Sequence, residues 1–462
     1  MKRTTVIVIL TVLATSLTAN LWLVIEPAFA KWRDAKSTLR HGFVPRVLFR
    51  ENGERRRYMV FVPHTSAESE RNGNPVLLFL NGVGENGDDG TNQISNNFGR
   101  QIWEMKASFP FLCVMPQCSL DGSWQADSND TRVALQILDQ VTEDYRVDQD
   151  KIYVTGVSAG GTGALELAAA YPERFAAVVP IAASLGGSLI EKTADALSVN
   201  SIALWSFYNG GDKERVVNSN RVLRRRLVSR GLDATCTEYA QGSHDAWNFS
   251  FRDPAMYQWL LRQRKSPKDK RSRFTNLIDP ELEHWKQFGE ADWQVTEEKV
   301  AGEDLILKCD ESKGGRDSLL ACNRTTAQFE LRFDFRCASR NHIELALRDG
   351  HSHDQVAQHR LVIRDAIVGE SALYSSSGEL LVVGDLAAQA TLRPNNWNHV
   401  QLLVDRGKFL VRINGWNLLS TTDEYDWIGF GLVGRLESRP QFRGILYREA
   451  GNGVSKATDA SD

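Results

Sequence analysis

The sequence predicts an α/β domain with a doubly wound, largely parallel sheet, followed by an all-β sandwich of the jelly-roll type. Between residues 76 and 264, short apolar runs alternate with longer helical patterns, which is typical of a parallel sheet covered by helices. Beyond residue 276, short segments of alternating polar and apolar residues follow instead, as in Gln328 to Phe335. A length of 462 residues also exceeds one ordinary core, so two domains are expected.

The first 30 residues predict an export signal or an N-terminal membrane anchor. Lys2-Arg3 precedes a stretch from Thr4 to Ile25 without charged residues, and Ala28-Phe29-Ala30 offers the small residues that a signal peptidase recognises. Because the uncharged stretch approaches the roughly 20 residues that span a bilayer, retention as an anchor stays open. In either case we expect the protein to be exported, in the periplasm, outside the cell or at the outer face of a membrane.

The composition is that of a globular protein. Hydrophobic residues make up 42% of the chain and charged residues 24%, and a net charge of -3 gives no reason to expect nucleic acid as a partner. The six cysteines lie at positions 113, 118, 236, 309, 322 and 337. Export would permit disulfides, but the spacing does not reveal their connectivity.

The α/β domain is predicted over residues 42–264. It begins with a hairpin, because two apolar segments between Val44 and Pro63 flank Asn52-Gly53, a favoured two-residue turn. Val76 to Leu80 is continuously apolar, as in a strand that is buried on both faces. Further strands are predicted at Phe111 to Met115, Lys151 to Thr155, Ala176 to Ile181, Ile202 to Tyr208 and Thr235 to Tyr239. Helices are predicted at Asp130 to Tyr145, Gly161 to Tyr171, Lys213 to Arg230 and Pro254 to Arg264.

A run of basic residues separates the two halves. Residues 262–273 contain seven basic groups, one acid and one proline, which favours a solvated linker, assigned to residues 265–276. Contact with a membrane surface or a polyanion is the alternative interpretation of this run. A polar linker of this length would let the halves move independently. The sandwich is predicted over residues 277–448, and a polar tail over residues 449–462 is expected to be disordered.

Gly156-Val157-Ser158-Ala159-Gly160 is the most informative motif of the chain. The apolar run Ile152 to Thr155 precedes it and small residues from Gly161 to Ala170 follow it, so a strand, a sharp turn and a helix are predicted. This is the nucleophile elbow of the α/β-hydrolases, in which glycines relieve crowding where the chain reverses. Ser158 is therefore the candidate nucleophile. The amide of Ala159, at the start of the helix, is a candidate donor to an oxyanion.

A nucleophilic serine needs a base, and the base needs an acid that orients it. Asp212 comes directly after a predicted strand, where the loop would present it at the carboxyl edge of the sheet. His244 follows the next strand and is the only histidine between residues 158 and 264. Asp245 and Glu214 compete with Asp212 for the acid role, and position relative to the strands favours Asp212.

A second oxyanion donor is expected in the loop after an early strand. The run Asn81 to Gly87 (NGVGENG) follows such a strand directly, and its glycines let backbone amides face a bound oxygen. We assign the donor to the amide of Val83, with Gly82 as the neighbour that permits the geometry. A plain surface loop is the alternative.

These motifs resemble the secreted α/β-hydrolase esterase group that includes feruloyl and acetylxylan esterases, polyhydroxybutyrate depolymerase-like proteins and predicted peptidases. The resemblance covers about residues 42–264. Five segments carry it: Leu80 to Gly87, Met115 to Cys118 with Trp124 beyond it, Gly156 to Gly161, His244 to Trp247, and Pro254 to Leu260. Within these segments, Trp124 and Trp247 are the candidate substrate-binding residues.

Two positions depart from the pattern of that group. Asn81 and Asn209 stand where the group has histidines, and the loop that carries Asp212 is one residue shorter. Neither histidine is the catalytic base, so the expected chemistry does not depend on them. The shortened loop bears on whether Asp212 reaches His244.

The second half resembles the 3-keto-disaccharide hydrolase-like domain, a concanavalin- or laminin-G-like sandwich. The similar segments are Ala291 to Val295, Phe329 to Phe335, Asn396 to Val400, Val411 to Gly415, Phe430 to Leu432 and Phe442 to Ile445. These are framework positions, so they indicate a fold rather than an activity. Trp416 and Trp427 are candidates for stacking on sugar rings, although core packing is the commoner role of tryptophan in sandwiches.

Taken together, these features predict an exported serine hydrolase that cleaves carboxylic esters, with an ester-bearing polysaccharide or another acyl ester as its substrate. No metal or organic cofactor is expected, since a Ser-His-Asp triad needs none. Attachment to a membrane through the N-terminal segment stays open. So do two alternatives, a serine peptidase of the same fold and a carbohydrate-binding surface protein with a degenerate α/β half.

Overall fold

The computed structural model describes residues 41–64, 66–95, 97–232, 234–240, 242–265, 274–289, 292–298, 304–310, 318–324, 326–337, 342–349, 359–365, 367, 369–405, 408–421, 427–434 and 439–449. The predicted export signal, most of the predicted linker and the predicted tail lie outside these residues. None of the helices within these ranges has the length and apolar character needed to cross a bilayer. The chain divides into two compact units, residues 1–149 and 150–462.

The first unit begins with the predicted hairpin. Its two strands pair antiparallel from Gly42 opposite Val62 to Phe49 opposite Arg55, and Gly53 in the turn has a φ of 82°, which suits glycine. The strands of this unit are β1 (Gly42–Phe49), β2 (Arg55–Val62), β3 (Asn74–Leu80) and β4 (Leu112–Pro116), in the order β1-β2-β4-β3. Its helices are α1 (Ala67–Asn72), α2 (Asn92–Ser95), α3 (Asn97–Glu104) and α4 (Asn129–Asp144).

The α/β part of the second unit continues with parallel strands in chain order. They are β5 (Val147–Val157), β6 (Ala177–Ile181), β7 (Ala203–Asn209) and β8 (Ala234–Tyr239). The helices are α5 (Ala159–Ala170), α6 (Gly187–Asn200), α7 (Glu214–Ser229), α8 (Trp247–Ser250) and α9 (Pro254–Arg262). Each predicted strand and helix of the α/β domain is confirmed to within a few residues, whereas the helices α1, α2, α3, α6 and α8 are missing from the prediction.

The rest of the second unit is an antiparallel β sandwich, which confirms the predicted class. Its described strands are β9 (Thr275–Asn276), β10 (Trp285–Phe288), β11 (Asp292–Glu298), β12 (Asp304–Asp310), β13 (Ser318–Cys322), β14 (Gln328–Arg336), β15 (His342–Asp349), β16 (His359–Arg364), β17 (Ala372–Tyr374), β18 (Leu380–Val383), β19 (Asn398–Asp405), β20 (Lys408–Ile413), β21 (Trp416–Thr421), β22 (Trp427–Gly434) and β23 (Gln441–Glu449), with helix α10 (Leu386–Gln389) between β18 and β19. One sheet has the order β10-β13-β22-β15-β16-β17-β18, and the other has the order β11-β12-β23-β14-β19-β20-β21.

Strand β14 shows how the sequence pattern builds this sandwich. Phe329, Leu331 and Phe333 alternate along the strand and belong to the buried apolar core between the sheets. Glu330 and Asp334 face the other side of the same strand, yet they are only 1% and 2% exposed. A charged face that is this deeply buried needs paired partners, since an unpaired buried charge is very costly.

Some partners of the buried charged residues of β14 belong to the α/β elements of the same unit. Arg224 of α7 donates to Asp334 at 2.7 Å, and the side chains of both residues are less than 5% exposed. Arg262 of α9 donates to the carbonyl of Gly415 at 2.9 Å, and burial together with the charge of Arg412 lowers the pKa of Arg262 to about 9. These buried contacts contradict the expectation that the linker lets the two halves move independently.

Candidate active site

Ser158 lies in the turn between β5 and α5, in a backbone conformation that few residues adopt. Its φ is 53° and its ψ is -115°, a combination outside the allowed regions for an L-residue. The turn is held by a hydrogen bond of 2.8 Å from the amide of Ser158 to the carbonyl of Ile181 in β6. Strain of this kind persists only where the surrounding structure enforces it, and it clusters at functional sites. The geometry is that of a nucleophile elbow.

The helix that follows the elbow packs closely against the sheet. A Cβ atom at Gly161 would lie 2.6 Å from the carbonyl oxygen of Ile181 and 3.0 Å from that of Gly156, so a larger residue could not occupy this position without displacing the backbone. Ala159 is the first residue of α5. Amides in the first turn have no carbonyl partner within their own helix, so this position provides a hydrogen-bond donor next to Ser158.

His244 connects Ser158 to Asp212. The hydroxyl of Ser158 lies 2.7 Å from Nε2 of His244, and Nδ1 of the same ring lies 2.8 Å and 3.0 Å from the two carboxylate oxygens of Asp212. Asp212 follows β7 and His244 follows β8, which is the placement that the sequence predicted. The shortened loop therefore does not prevent Asp212 from reaching the histidine.

The surroundings of Asp212 and His244 determine which ring nitrogen of His244 carries the proton. The side chain of Asp212 is 0% exposed and also accepts a hydrogen bond of 2.6 Å from the amide of Lys213, while the side chain of His244 is 30% exposed. A carboxylate can only accept, so it favours the tautomer of His244 with the proton on Nδ1. Nε2 is then an acceptor that faces the hydroxyl of Ser158.

Asp245, the competitor for the acid role, has different partners. Its Oδ1 accepts a hydrogen bond of 2.6 Å from Nδ2 of Asn209 and one of 3.2 Å from the amide of Ser243. Asn209, at the end of β7, also donates to the carbonyl of Ser243 at 2.8 Å and is 0% exposed. Asn209 thus holds the residues on both sides of His244, and the arrangement favours Asp212 as the acid.

Two glycines allow this close fit between the loops. Gly242 has a φ of 106°, and a Cβ at that position would lie 2.5 Å from Nδ2 of Asn209. A Cβ at Gly211 would lie 2.6 Å from the carbonyl oxygen of Gly242. The loop of Asp212 and the loop of His244 therefore contact each other through backbone atoms and through the side chain of Asn209.

The loop of Val83 lies in the first unit and is held by Asn81. The side chain of Asn81 is buried, donates to the carbonyl of Gly82 at 2.8 Å and accepts from the amide of Cys118 at 3.0 Å. Val83 opens a short 3₁₀ turn, Val83–Glu85, and its side chain is 68% exposed. Asn81 thus gives the loop a defined shape, although the secreted esterase group that the sequence resembles has a histidine at this position.

The two tryptophans proposed for substrate binding lie in different environments. Trp124, in the first unit, is 4% exposed and donates its indole N–H to the carbonyl of Asn81 at 2.9 Å. So deep a position leaves little surface for a substrate, and the contact with Asn81 supports the Val83 loop. Trp247 is half-buried at the start of α8, with its ring edge-on to His244 at a centroid distance of 5.4 Å.

All six cysteines are free thiols. Within the described ranges, no group of three or more His, Cys, Asp and Glu side chains is arranged to hold a metal ion. The role of Asn209 was missed by sequence reasoning, although its departure from the histidine of the resembling group marked the position.

Comparisons with known proteins match two families to two regions of the chain. Residues 50–260 match the model of a family described as "Putative esterase", and residues 273–429 match that of the 3-keto-alpha-glucoside-1,2-lyase-like domain. "Putative esterase NocK" of Nocardia uniformis subsp. tsuyamanensis is 37% identical over 86 residues, which is 19% of this chain and 24% of that protein. The chain therefore aligns with about a quarter of the length of this curated relative.

Two solved structures are also similar to the chain. A thermostable esterase has 26% sequence identity and a TM-score of 0.43, with 48% of this chain and 63% of that chain covered. A ferulic acid esterase has 21% identity and a TM-score of 0.37, with 47% and 96% covered.

The two family matches fall on the two architectures of the chain. The esterase model matches the region built on the α/β sheet, and the 3-keto-alpha-glucoside-1,2-lyase-like model matches the antiparallel sandwich. The predicted combination of these two regions in one chain is confirmed.

Proposed function

We propose that the protein is a serine hydrolase that cleaves carboxylic esters through an acyl-enzyme. The observation that carries this proposal is the continuous hydrogen-bonded chain from Asp212 through His244 to Ser158, which ends at a strained elbow. A serine hydroxyl is a weak nucleophile until a base removes its proton, and this arrangement supplies that base and the acid that orients it.

In the proposed reaction, the hydroxyl of Ser158 attacks the acyl carbon while its proton moves to Nε2 of His244. Asp212 stabilises the imidazolium that forms and keeps its proton on Nδ1. The C–O bond of the ester then breaks, and His244 returns the proton to the departing alcohol. Water activated by the same histidine cleaves the acyl-enzyme and restores the hydroxyl of Ser158.

The oxyanion that develops in each step needs donors that are already in place. We assign one donor to the amide of Ala159, which lies at the start of α5 beside Ser158. The amide of Val83 is proposed as the second donor, on the basis of its position in the loop after β3.

The proposed substrate is an acyl group carried by a polysaccharide, or a related acyl ester. Support comes from the esterase family match and from the second region, whose matched family is named for a glucoside-directed lyase. The half-buried ring of Trp247, edge-on to His244, offers an apolar surface for an acyl group. We also propose that the protein is exported, as the basic flank, apolar stretch and Ala28-Phe29-Ala30 indicate.

The test is a hydrolysis screen of the purified protein over aryl acetates, feruloyl sugars and peptide amides, with the Ser158→Ala variant as control. The proposal predicts turnover of at least one ester class that disappears in the variant. Faster cleavage of the amides than of any ester would make the protein a peptidase instead. Binding to polysaccharide without Ser158-dependent turnover of any substrate would make it a carbohydrate-binding protein.

A further inference from the structure

Arg393 of the sandwich contacts the strand before the segment that carries His244 and the last residue of that segment, residues 242–253, named here the histidine segment. Arg393 lies between α10 and β19. On one side, its Nη1 donates to the hydroxyl of Thr237 in β8 at 3.2 Å. On the other side, its Nη2 lies 3.5 Å from a carboxylate oxygen of Asp253. One guanidinium therefore bridges the strand before the histidine segment and the residue at its end.

Asp253 is itself a fixed point of the fold. Its carboxylate accepts a hydrogen bond of 3.0 Å from the amide of Ala255 and so caps α9, where Pro254 occupies the first helical position. Burial raises the pKa of Asp253, and the nearby charge of Arg393 opposes that rise. The arginine thus supports the ionised form of the cap at the end of the histidine segment.

The backbone around Arg393 is anchored within the sandwich. Its amide donates to Oδ1 of Asn398 at 2.8 Å, and Nδ2 of Asn398 donates back to its carbonyl at 3.0 Å. Asn398 is 0% exposed and also accepts from Nδ2 of Asn414 at 3.0 Å. The backbone from which the guanidinium extends is therefore fixed within the sandwich.

Aromatic contacts extend this support to the histidine. The guanidinium of Arg393 lies 5.7 Å from the ring centroid of Tyr239, and that ring packs against Phe249 at 5.3 Å. Phe249 belongs to α8, whose first residue, Trp247, contacts the ring of His244 edge-on at 5.4 Å. These contacts connect Arg393 to the short helix that packs against His244.

We propose that Arg393 is a positioning residue for His244, so that the sandwich completes the proposed hydrolase site instead of serving only as a separate binding module. The inference deepens the proposed function and rests on it. Asn209 holds the histidine segment near its start, at Ser243 and Asp245, and Arg393 holds its end at Asp253. Small errors in the position of a general base are costly in rate, since a shift of about 1 Å can reduce turnover by about 100-fold.

The test compares three variants with the full-length wild type on a small soluble aryl ester. Arg393→Ala should reduce kcat by about ten-fold with little change in KM, because the histidine is displaced while the apolar surface remains. Arg393→Lys keeps the charge but loses the fork and should recover part of the rate. Arg360→Ala removes another sandwich arginine, which lies over Tyr374, and should match the wild type.

Hydrogen exchange supplies a second readout that does not depend on activity. Arg393→Ala should increase the exchange of residues 242–253 while the sandwich strands keep their protection. Wild-type kcat together with unchanged exchange in that variant would overturn the inference. So would equal losses of kcat in Arg393→Ala and Arg360→Ala. If exchange increases as expected but no hydrolysis depends on Ser158, the contact stands and the proposed function fails.

Discussion

The chain contains two described histidine–aspartate pairs, one in each region, and they differ in their third partner. In the α/β region, Nδ1 of His244 lies 2.8 Å from Asp212, and the opposite ring nitrogen faces the hydroxyl of Ser158. In the sandwich, Nδ1 of His399 lies 3.0 Å from Asp334. Here it is the aspartate that has further partners, because Arg224 and Arg443 donate to its other oxygen at 2.7 Å and 3.1 Å.

The difference shows that the residue types of a pair do not define its role. Burial by itself would raise the pKa of Asp334, but Arg224, His399 and Arg443 together outweigh it and hold that pKa below its usual range. Because Asp334 pairs with both Arg224 of α7 and Arg443 of β23, it connects α7 to the sandwich. Asp212 has no arginine partner among the contacts described, and its histidine is 30% exposed next to a strained serine.

The largest expected effect tests the His244–Asp212 pair through its partner Ser158. Ser158→Ala should reduce ester turnover by about 10³-fold or more, because the nucleophile is lost. Its melting temperature should be close to that of the wild type, since the backbone of the elbow is held by Ile181 and Gly161 rather than by the hydroxyl. The control is Ser243→Ala, an exposed serine beside His244, which should keep most of the activity.

The next effect separates the two carboxylates near His244. Asp212→Asn should also slow turnover by about 10³-fold, because an amide can no longer hold the proton of the histidine on Nδ1. Asp245→Asn keeps the oxygen that accepts from Asn209 and should lose less than about ten-fold. Steady-state rates of both variants decide the matter, and a larger loss in Asp245→Asn would transfer the acid role to Asp245.

Replacing the aspartate of the His399–Asp334 pair should change the stability of the protein instead. Asp334→Asn leaves two buried arginines without a countercharge, so the free energy of unfolding should fall by about 3–5 kcal/mol. Denaturant unfolding of the full chain measures this loss, with Asp405→Asn at the end of β19 as a control. Unchanged stability would show that the joint between α7 and the sandwich is not held by this charge.

The pH dependence of stability follows from the lowered pKa of Asp334. A carboxylate with a depressed pKa in the folded state contributes stability above its unfolded pKa of about 3.9, and this contribution is lost as the pH falls further. Stability of the wild type should therefore decline below about pH 4. Asp334→Asn should lack this part of the decline, so the two stability curves should converge at low pH. Parallel curves would contradict the assignment.

The smallest expected effect concerns Asn209, which contacts the start of the histidine segment. Asn209→Ala removes two buried hydrogen bonds that flank His244 and should lower kcat by about ten-fold, with a stability loss of about 1–3 kcal/mol. Asn209→Asp should be worse, because its carboxylate would face that of Asp245. Rates no lower than those of the wild type in both variants would remove Asn209 from the positioning role.

Local patterns predicted much of the fold and of the site. Ser158, Asp212 and His244 were identified from a turn motif and from their places after predicted strands, since parallel strands bring their carboxyl ends to one edge of a sheet. The hairpin around Asn52-Gly53 was predicted correctly because its signal is local, although the connection runs from Arg50 to Glu54 and is longer than two residues.

The remaining features depend on contacts between residues far apart in the chain. The burial of Trp124 and the partners of Asn209 are not encoded in any local period. Arg393 and Asp253 are 140 positions apart in the sequence, and no spacing rule connects them. The joint at Asp334 was missed for the same reason, and the charged linker suggested independent halves instead.

The central claim is that Asp212, His244 and Ser158 act together on acyl groups, and covalent labelling tests it most directly. The full-length protein is treated with a fluorophosphonate, and the labelled peptide is identified by mass spectrometry. We expect one adduct on Ser158, at a rate greatly reduced in His244→Ala and in Asp212→Asn but close to that of the wild type in a folded His399→Ala variant. Absence of labelling at Ser158, or labelling that does not depend on His244, would contradict it.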